Sequence, residues 1–300
     1  MRAGGGGARA NRGVLAAPRP SYAPTLPAHH SLPQPRSDAA LIANAVLAEV
    51  LAALAPGASI ADLCEKGDAA IEAACAKTYT KKKDMAKGVA FPTCISVNEL
   101  IAHYSPLKSE SRVLAAGDAV KVDLGVHLDG FAALVAQTVV LRAADAPALT
   151  GPQADVIAAA HAAGDVVLRL LKPGARGAAV TDAVERTAAA FGVSVVSSVQ
   201  CSLLQQYSLD SGKSVPLKRD AGVKYEDVTF AANEVWCVEV ALSTGEGTPR
   251  ETEARTTVFR RVVEVRKRAA RVGEELDGAS VAPPTNLSPS HPPSHRTPRV

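Results

Sequence analysis

Five lysines, Lys77, Lys81, Lys82, Lys83 and Lys87, fall within eleven residues of one another. A cluster of that density can lie against the phosphates of a nucleic-acid backbone and displace their counterions. The same run also suits the solvated face of a helix, and spacing alone leaves both readings open. The five cysteines (Cys64, Cys75, Cys94, Cys201, Cys237) are scattered, with no CxxC pair. Neither a disulfide framework nor a zinc ribbon is therefore indicated, and a reducing compartment is the simplest reading. A Gly-rich phosphate loop is missing as well: Gly4 to Gly7 lie in an Arg-bearing leader, and nothing matches GxGxxG after a strand or GxxxxGKS/T.

The elements that would position such residues follow from apolar spacing. Residues 38–54 repeat apolar side chains at helical spacing, with Ser37 and Asp38 as cap candidates and Pro56-Gly57 as the stop. A second helix is predicted from Ser59, which forms a capping pair with Asp62. The segment GVAFPTCISVN is β-rich, and residues 118–125 and 131–142 read as two strands joined by a turn at Asp129-Gly130. Helices are predicted over 151–171 and 177–191, the latter ending at Gly192. Residues 234–242 (EVWCVEVAL) read as one buried strand, with TTVFRRVVEV as a continuation. The order indicates an α+β or mixed α/β fold, and no repeat period marks a solenoid.

Charge and proline divide the chain in the same way. All 30 acidic residues lie between 38 and 278, against 26 basic ones, so that stretch carries a net charge of −4 while the whole chain carries +3. The ends at 1–37 and 279–300 hold 12 of the 20 prolines and no acid. Such segments cannot bury enough apolar surface to offset ordering entropy, so a disordered leader (1–37) and a disordered Pro/Ser-rich tail (279–300) are expected. Between them the sequence is divided into a main domain at 38–260 and a basic/acidic helical extension at 261–278. No apolar run approaches a membrane span. The Arg-bearing leader suggests an organelle transit peptide only as an alternative.

Several ordered, collinear segments resemble a known family: LCEKGDAAI (63–71), KGVAFPTCISVNELIAHYSPLKS (87–109), GDAVKVDLGVHLDGFAALVAQTVV (117–140), LKPG (171–174) and EVWCVEVALSTGEG (234–247). They resemble the methionine-aminopeptidase-like, or pita-bread, superfamily, and within it the proliferation-associated, ErbB-receptor-binding proteins. The resemblance implies an α+β pita-bread fold, incomplete at its C-terminal half because the family pattern fades after about Arg260. Missing final strands would leave an unpaired sheet edge, to be covered by a partner unless the chain is an incomplete product.

In the active aminopeptidases of that superfamily two divalent metals sit between two Asp, one His and two Glu, which neutralise the cations and hold the activated water. Matched position by position, the first Asp is Asp123 and the first Glu is Glu239. The second Asp, eleven residues on, is replaced by Leu134, and alignment on GKSVP puts Ser202 where the His ligand belongs. The last Glu would lie on a strand beyond the resemblance. The additional substrate-contacting His survives as His103.

The resemblance therefore implies a pseudo-peptidase without a functional metal site: a scaffold for ribosomes, rRNA or other structured RNA and protein partners, in growth, translation or transcription control. The lysines at 77, 81, 82, 83 and 87 are its RNA-binding candidates. A second basic stretch (Arg260, Arg261, Arg266, Lys267, Arg268, Arg271) is either an anion site or a solvated helix. No cofactor, no membrane and a cytoplasmic and nuclear or nucleolar location go with that reading. The alternative is a residual methionyl or prolyl aminopeptidase using Asp123, Glu239 and His103 with two ions such as Co or Mn.

Overall fold

The computed structural model describes residues 34–143, 145–251, 254–259 and 298–299. Helix α1 (Gln34–Ala53) buries Ala39, Ala43, Val46, Leu47 and Val50, the apolar stripe that its sequence spacing demands. It begins ahead of the expected boundary at 37, so Ser37 and Asp38 lie inside it and are not its caps. The cause is Arg36. Only 5% exposed, its guanidinium donates to the Ala132 carbonyl at 2.5 Å and lies 5.6 Å from the centre of the Phe131 ring, which draws the first turn onto the sheet. The rest of the leader lies outside the described residues.

Helix α2 (Ile60–Lys77) starts as the sequence predicts: the Ser59 hydroxyl accepts from the Asp62 N–H at 3.3 Å. Strands β1 (Lys87–Val97), β2 (Ala119–Leu128) and β3 (Phe131–Val140) form an antiparallel sheet in that order. The β2–β3 turn has Asp129 at φ 55° and Gly130 at φ 73°, the positive pair that a two-residue hairpin needs to match strand twist. Alternation then sorts the side chains of β2. Val120, Val122, Leu124, Val126 and Leu128 enter a core with α1 and α2, which leaves Lys121, Asp123, Gly125 and His127 on the opposite face. Gly67 lets α2 settle on β1, since a Cβ there would lie 2.4 Å from Thr93 Oγ1.

The second half repeats the plan with other elements. Helices α3 (Pro152–Leu170) and α4 (Gly177–Ala190) pack together, α4 against short strands β4 (Ser194–Val195) and β6 (Ser214–Pro216) and α3 against β8 (Leu242–Ser243), while β5 (Gln200–Leu204) lies between β6 and β7 (Val235–Cys237). The strand orders are β6-β5-β7 and β4-β8. Ala163, Val167, Val180, Val184, Cys201, Val215, Leu217 and Phe230 belong to this second core.

The single buried strand expected over 234–242 is not formed. Residues 235–237 pair with β5 and 242–243 with β4, so the chain changes partner over 238–241 and carries no ladder there. The first piece is half-buried. Its expected continuation begins in residues 256–259, which are not strand, and the remainder lies outside the described residues. So do the extension at 261–278 and most of the tail. Within the tail, Pro298–Arg299 pair with Arg250–Glu251, a two-residue ladder in which Pro takes an edge position. Among the described residues no helix is long and apolar enough to cross a membrane.

The halves are clasped at the hairpin tip. Tyr207 donates its N–H to the Gly130 carbonyl at 2.8 Å and its hydroxyl to Asp129 Oδ1 at 2.9 Å, while Gln206 donates to the Asp129 carbonyl at 2.8 Å. The ring lies directly over Gly130, where a Cβ would stand 2.4 Å from Tyr207 Cδ1.

Candidate functional site

Asp123 projects from the face of β2 that looks away from α1 and α2, level with Cys94 on β1 and Ala136 on β3. Cys94 is fully buried, whereas the Asp123 side chain keeps 19% of its exposure. His103 follows β1 with φ 62°, a left-handed backbone conformation that few non-glycine residues adopt. That conformation brings its ring between two carboxylates: Nδ1 lies 3.4 Å from Asp123 Oδ1 and Nε2 lies 3.9 Å from Glu239 Oε1. Phe91 flanks the imidazole, with ring centres 4.8 Å apart.

The electrostatics follow from this sandwich. Desolvation pulls the His103 pKa down, but the hydrogen bond and charge of Asp123, with Glu239 behind them, outweigh it and leave the imidazole above its ordinary value. Desolvation raises the Glu239 carboxyl, His103 counteracts it and Asp123 adds to it, so the net direction is upward. Burial, reinforced by Asp123, pushes the Cys94 thiol far up.

The expected residues therefore converge only in part. His103, Asp123 and Glu239 meet, although the last comes from the other half of the fold. Leu134 stands on β3 opposite Gly125, on the same face as Asp123, with its Cγ 3.4 Å from where a Cβ at 125 would lie. Ser202 sits on the central strand of the second sheet, between Ser214 and Cys237. A leucine has no donor atom and a serine hydroxyl is a poor substitute for imidazole, so the donor set does not fit a two-cation centre. Sequence reasoning missed Cys94, because nothing in a lone cysteine nine residues before a histidine announces that strand pairing will set it beside Asp123.

The lysines separate too. Lys77 ends α2, and Lys81, Lys82 and Lys83 are exposed on the following loop, so the cluster is not one helix face. The helix stops at Thr78, and Tyr79 adopts φ 50°. Lys82 Nζ lies 5.1 Å from the Tyr79 ring centre. Lys87 is committed elsewhere: half-buried at the start of β1, it donates to the Thr78 carbonyl at 2.5 Å and closes the loop. Lys81, Lys82 and Lys83 line an open depression with Met85 and Asp129, beside the interhalf clasp.

Comparison with known proteins places these features in context. Residues 37–260 match metallopeptidase family M24. Proliferation-associated protein A of Dictyostelium discoideum is 41% identical over 223 residues, covering 74% of this chain and 58% of that protein. ErbB-3 binding protein 1 of Arabidopsis thaliana is 44% identical over 225 residues, covering 74% and 57%. The chain thus spans less than three-fifths of either relative's length. Among solved structures, a thermophilic Arx1 superposes with a TM-score of 0.69 at 29% identity, covering 77% of this chain and 70% of that one.

Proposed function

The chain belongs to metallopeptidase family M24, and from that premise we propose that it is a catalytically inactive aminopeptidase-like scaffold that binds ribosomes or structured RNA together with protein partners. Its pita-bread fold is the fold of the methionine aminopeptidases. The observation that carries the proposal is Leu134, a side chain without lone pairs on the Asp123 face of the hairpin, joined by Ser202 at the expected imidazole position. The names of the relatives, one for proliferation and one for ErbB-3 binding, support a binding role in growth control, to which the proposal adds translation or transcription control. The exposed Lys81, Lys82 and Lys83 support a phosphate-contacting surface. On this reading the binding role needs no two-metal centre, and the protein works in the cytoplasm and nucleus or nucleolus.

The competing reading is a residual methionyl or prolyl aminopeptidase, and the convergence of His103, Asp123 and Glu239 is what favours it. One pair of measurements separates the two. With Co²⁺ or Mn²⁺ supplied, the expected result for the scaffold is no release of Met from a Met-Ala-Ser peptide, together with ribosome co-sedimentation that weakens steeply as salt rises. Peptide cleavage that is lost on Asp123→Asn would overturn the scaffold reading in favour of the enzyme.

A further inference from the structure

Cys94, His103 and Asp123 offer one sulfur, one ring nitrogen and one carboxylate oxygen, all within 4.8 Å of one another, and no other three His, Cys, Asp or Glu side chains among the described residues do so. We propose that these three residues bind a single borderline-soft divalent cation of the zinc type.

Geometry is the first argument. Bonds of about 2.0–2.3 Å to a tetrahedral ion put its ligand atoms about 3.3–3.8 Å apart. His103 Nδ1 and Asp123 Oδ1, at 3.4 Å, already stand at that spacing. Cys94 and Asp123 cannot drift apart, because they are paired residues on neighbouring strands. The third donor, His103, sits in a left-handed backbone conformation at φ 62°, which persists where the surrounding structure enforces it.

Charge and chemical softness agree with the geometry. A thiolate and a carboxylate neutralise a dication, with the imidazole neutral. Sulfur selects zinc-like ions over magnesium or calcium, which prefer oxygen alone. Binding would draw the proton from the Cys94 thiol into solvent, as metal binding to cysteine generally does. The other ring nitrogen of His103 faces Glu239 at 3.9 Å, so that carboxylate is placed to hold the remaining ring N–H and orient the imidazole. An ion would enter from the His103 side, which is half-exposed, against an inner wall formed by the fully buried Cys94.

The inference does not rest on the scaffold reading, which stands or falls on peptide cleavage and ribosome sedimentation. Its test is a titration of the metal-free full chain with Co²⁺, followed by absorbance. Expected are one equivalent of Co²⁺, a near-ultraviolet thiolate-to-cobalt charge-transfer band and the visible bands of a tetrahedral ion. Zn²⁺ should displace the Co²⁺ and excess Mg²⁺ should not. Cys94→Ser should lose the charge-transfer band, and Asp123→Asn should keep it while weakening binding by about 10-fold or more, at least the scale seen for changes one shell further out. No sulfur band, two equivalents without one, or a band that survives in folded Cys94→Ser overturns the proposal. Should circular dichroism show that Cys94→Ser does not fold, unchanged affinity in Asp123→Asn or His103→Ala overturns it instead.

Discussion

Asp123 and Leu134 share one face of the β2–β3 ladder, on facing strands, with Ala136 and Gly125 as their cross-strand partners. The diagonal between them is the span across which two carboxylates would converge on metals, and one of its ends is hydrocarbon. Leu134→Asp restores the carboxylate but not the imidazole expected at Ser202. Methionine release by that variant with Co²⁺ or Mn²⁺ is expected to remain at background, measured by free-amino-acid detection. Turnover above background would show that the Ser202 position is not limiting.

The loop lysines predict a graded electrostatic effect. Replacing Lys81, Lys82 and Lys83 together with Ala should weaken ribosome co-sedimentation and lower the slope of log affinity against log salt by about 2–3, at about 0.7–0.9 for each phosphate left without its lysine. Lys87→Ala should leave that slope unchanged. It removes the charge-assisted bond to the Thr78 carbonyl and should cost about 1.5–3 kcal/mol of stability in urea unfolding.

Two glycines should respond to the same substitution with opposite signs. Gly67→Ala forces a methyl into Thr93, whose Oγ1, Cγ2 and Cβ would lie 2.4, 2.7 and 2.9 Å away. It should destabilise by about 1–3 kcal/mol, as overpacking generally does. Gly164→Ala, in α3, meets nothing within 4 Å and should stabilise by about 0.5–1 kcal/mol through helix propensity. Urea midpoints of the two variants are the check.

A pH dependence follows from Asp227. Its Oδ1 accepts the Ala178 N–H at the start of α4, and Arg176 donates to Oδ2; the backbone bond first, then the arginine, hold the carboxyl below its ordinary value. A carboxyl with a depressed folded pKa contributes stability that is present above its unfolded value, about 3.9, and is lost as pH falls through the lower folded one. Asp227→Asn should therefore cost about 0.3–1 kcal/mol at pH 7, the usual scale of a charge at a helix N-terminus. The gap between the two proteins should close toward pH 2 in urea melts.

Much of the fold was legible in the sequence because its first half is built from local signals. Ser59 capped α2, Asp129-Gly130 made the hairpin turn, and the alternation in β2 chose the buried face. The entry to α1 was not legible, since Arg36 is drawn inward by Ala132 and Phe131, which lie nearly a hundred positions away. Nor was the break in 234–242, where apolar content marks a strand but only the positions of β4 and β5 show that it serves two sheets. In the site, Asp123, His103 and Glu239 were found through family motifs. Cys94 was not, because its neighbours are a product of strand register, which composition does not carry.

The Tyr207 clasp joins residues 78 positions apart, and it bears on the order in which the molecule is assembled. The buried members of the first core all lie between Ala39 and Leu141, and those of the second between Ala163 and Phe230. The first core can therefore form during synthesis while the second is still being made. His103 and Asp123 are then in place before Glu239 has been translated. On that order the 3.9 Å approach of Glu239 to His103 would come last, once both halves have folded and closed on each other.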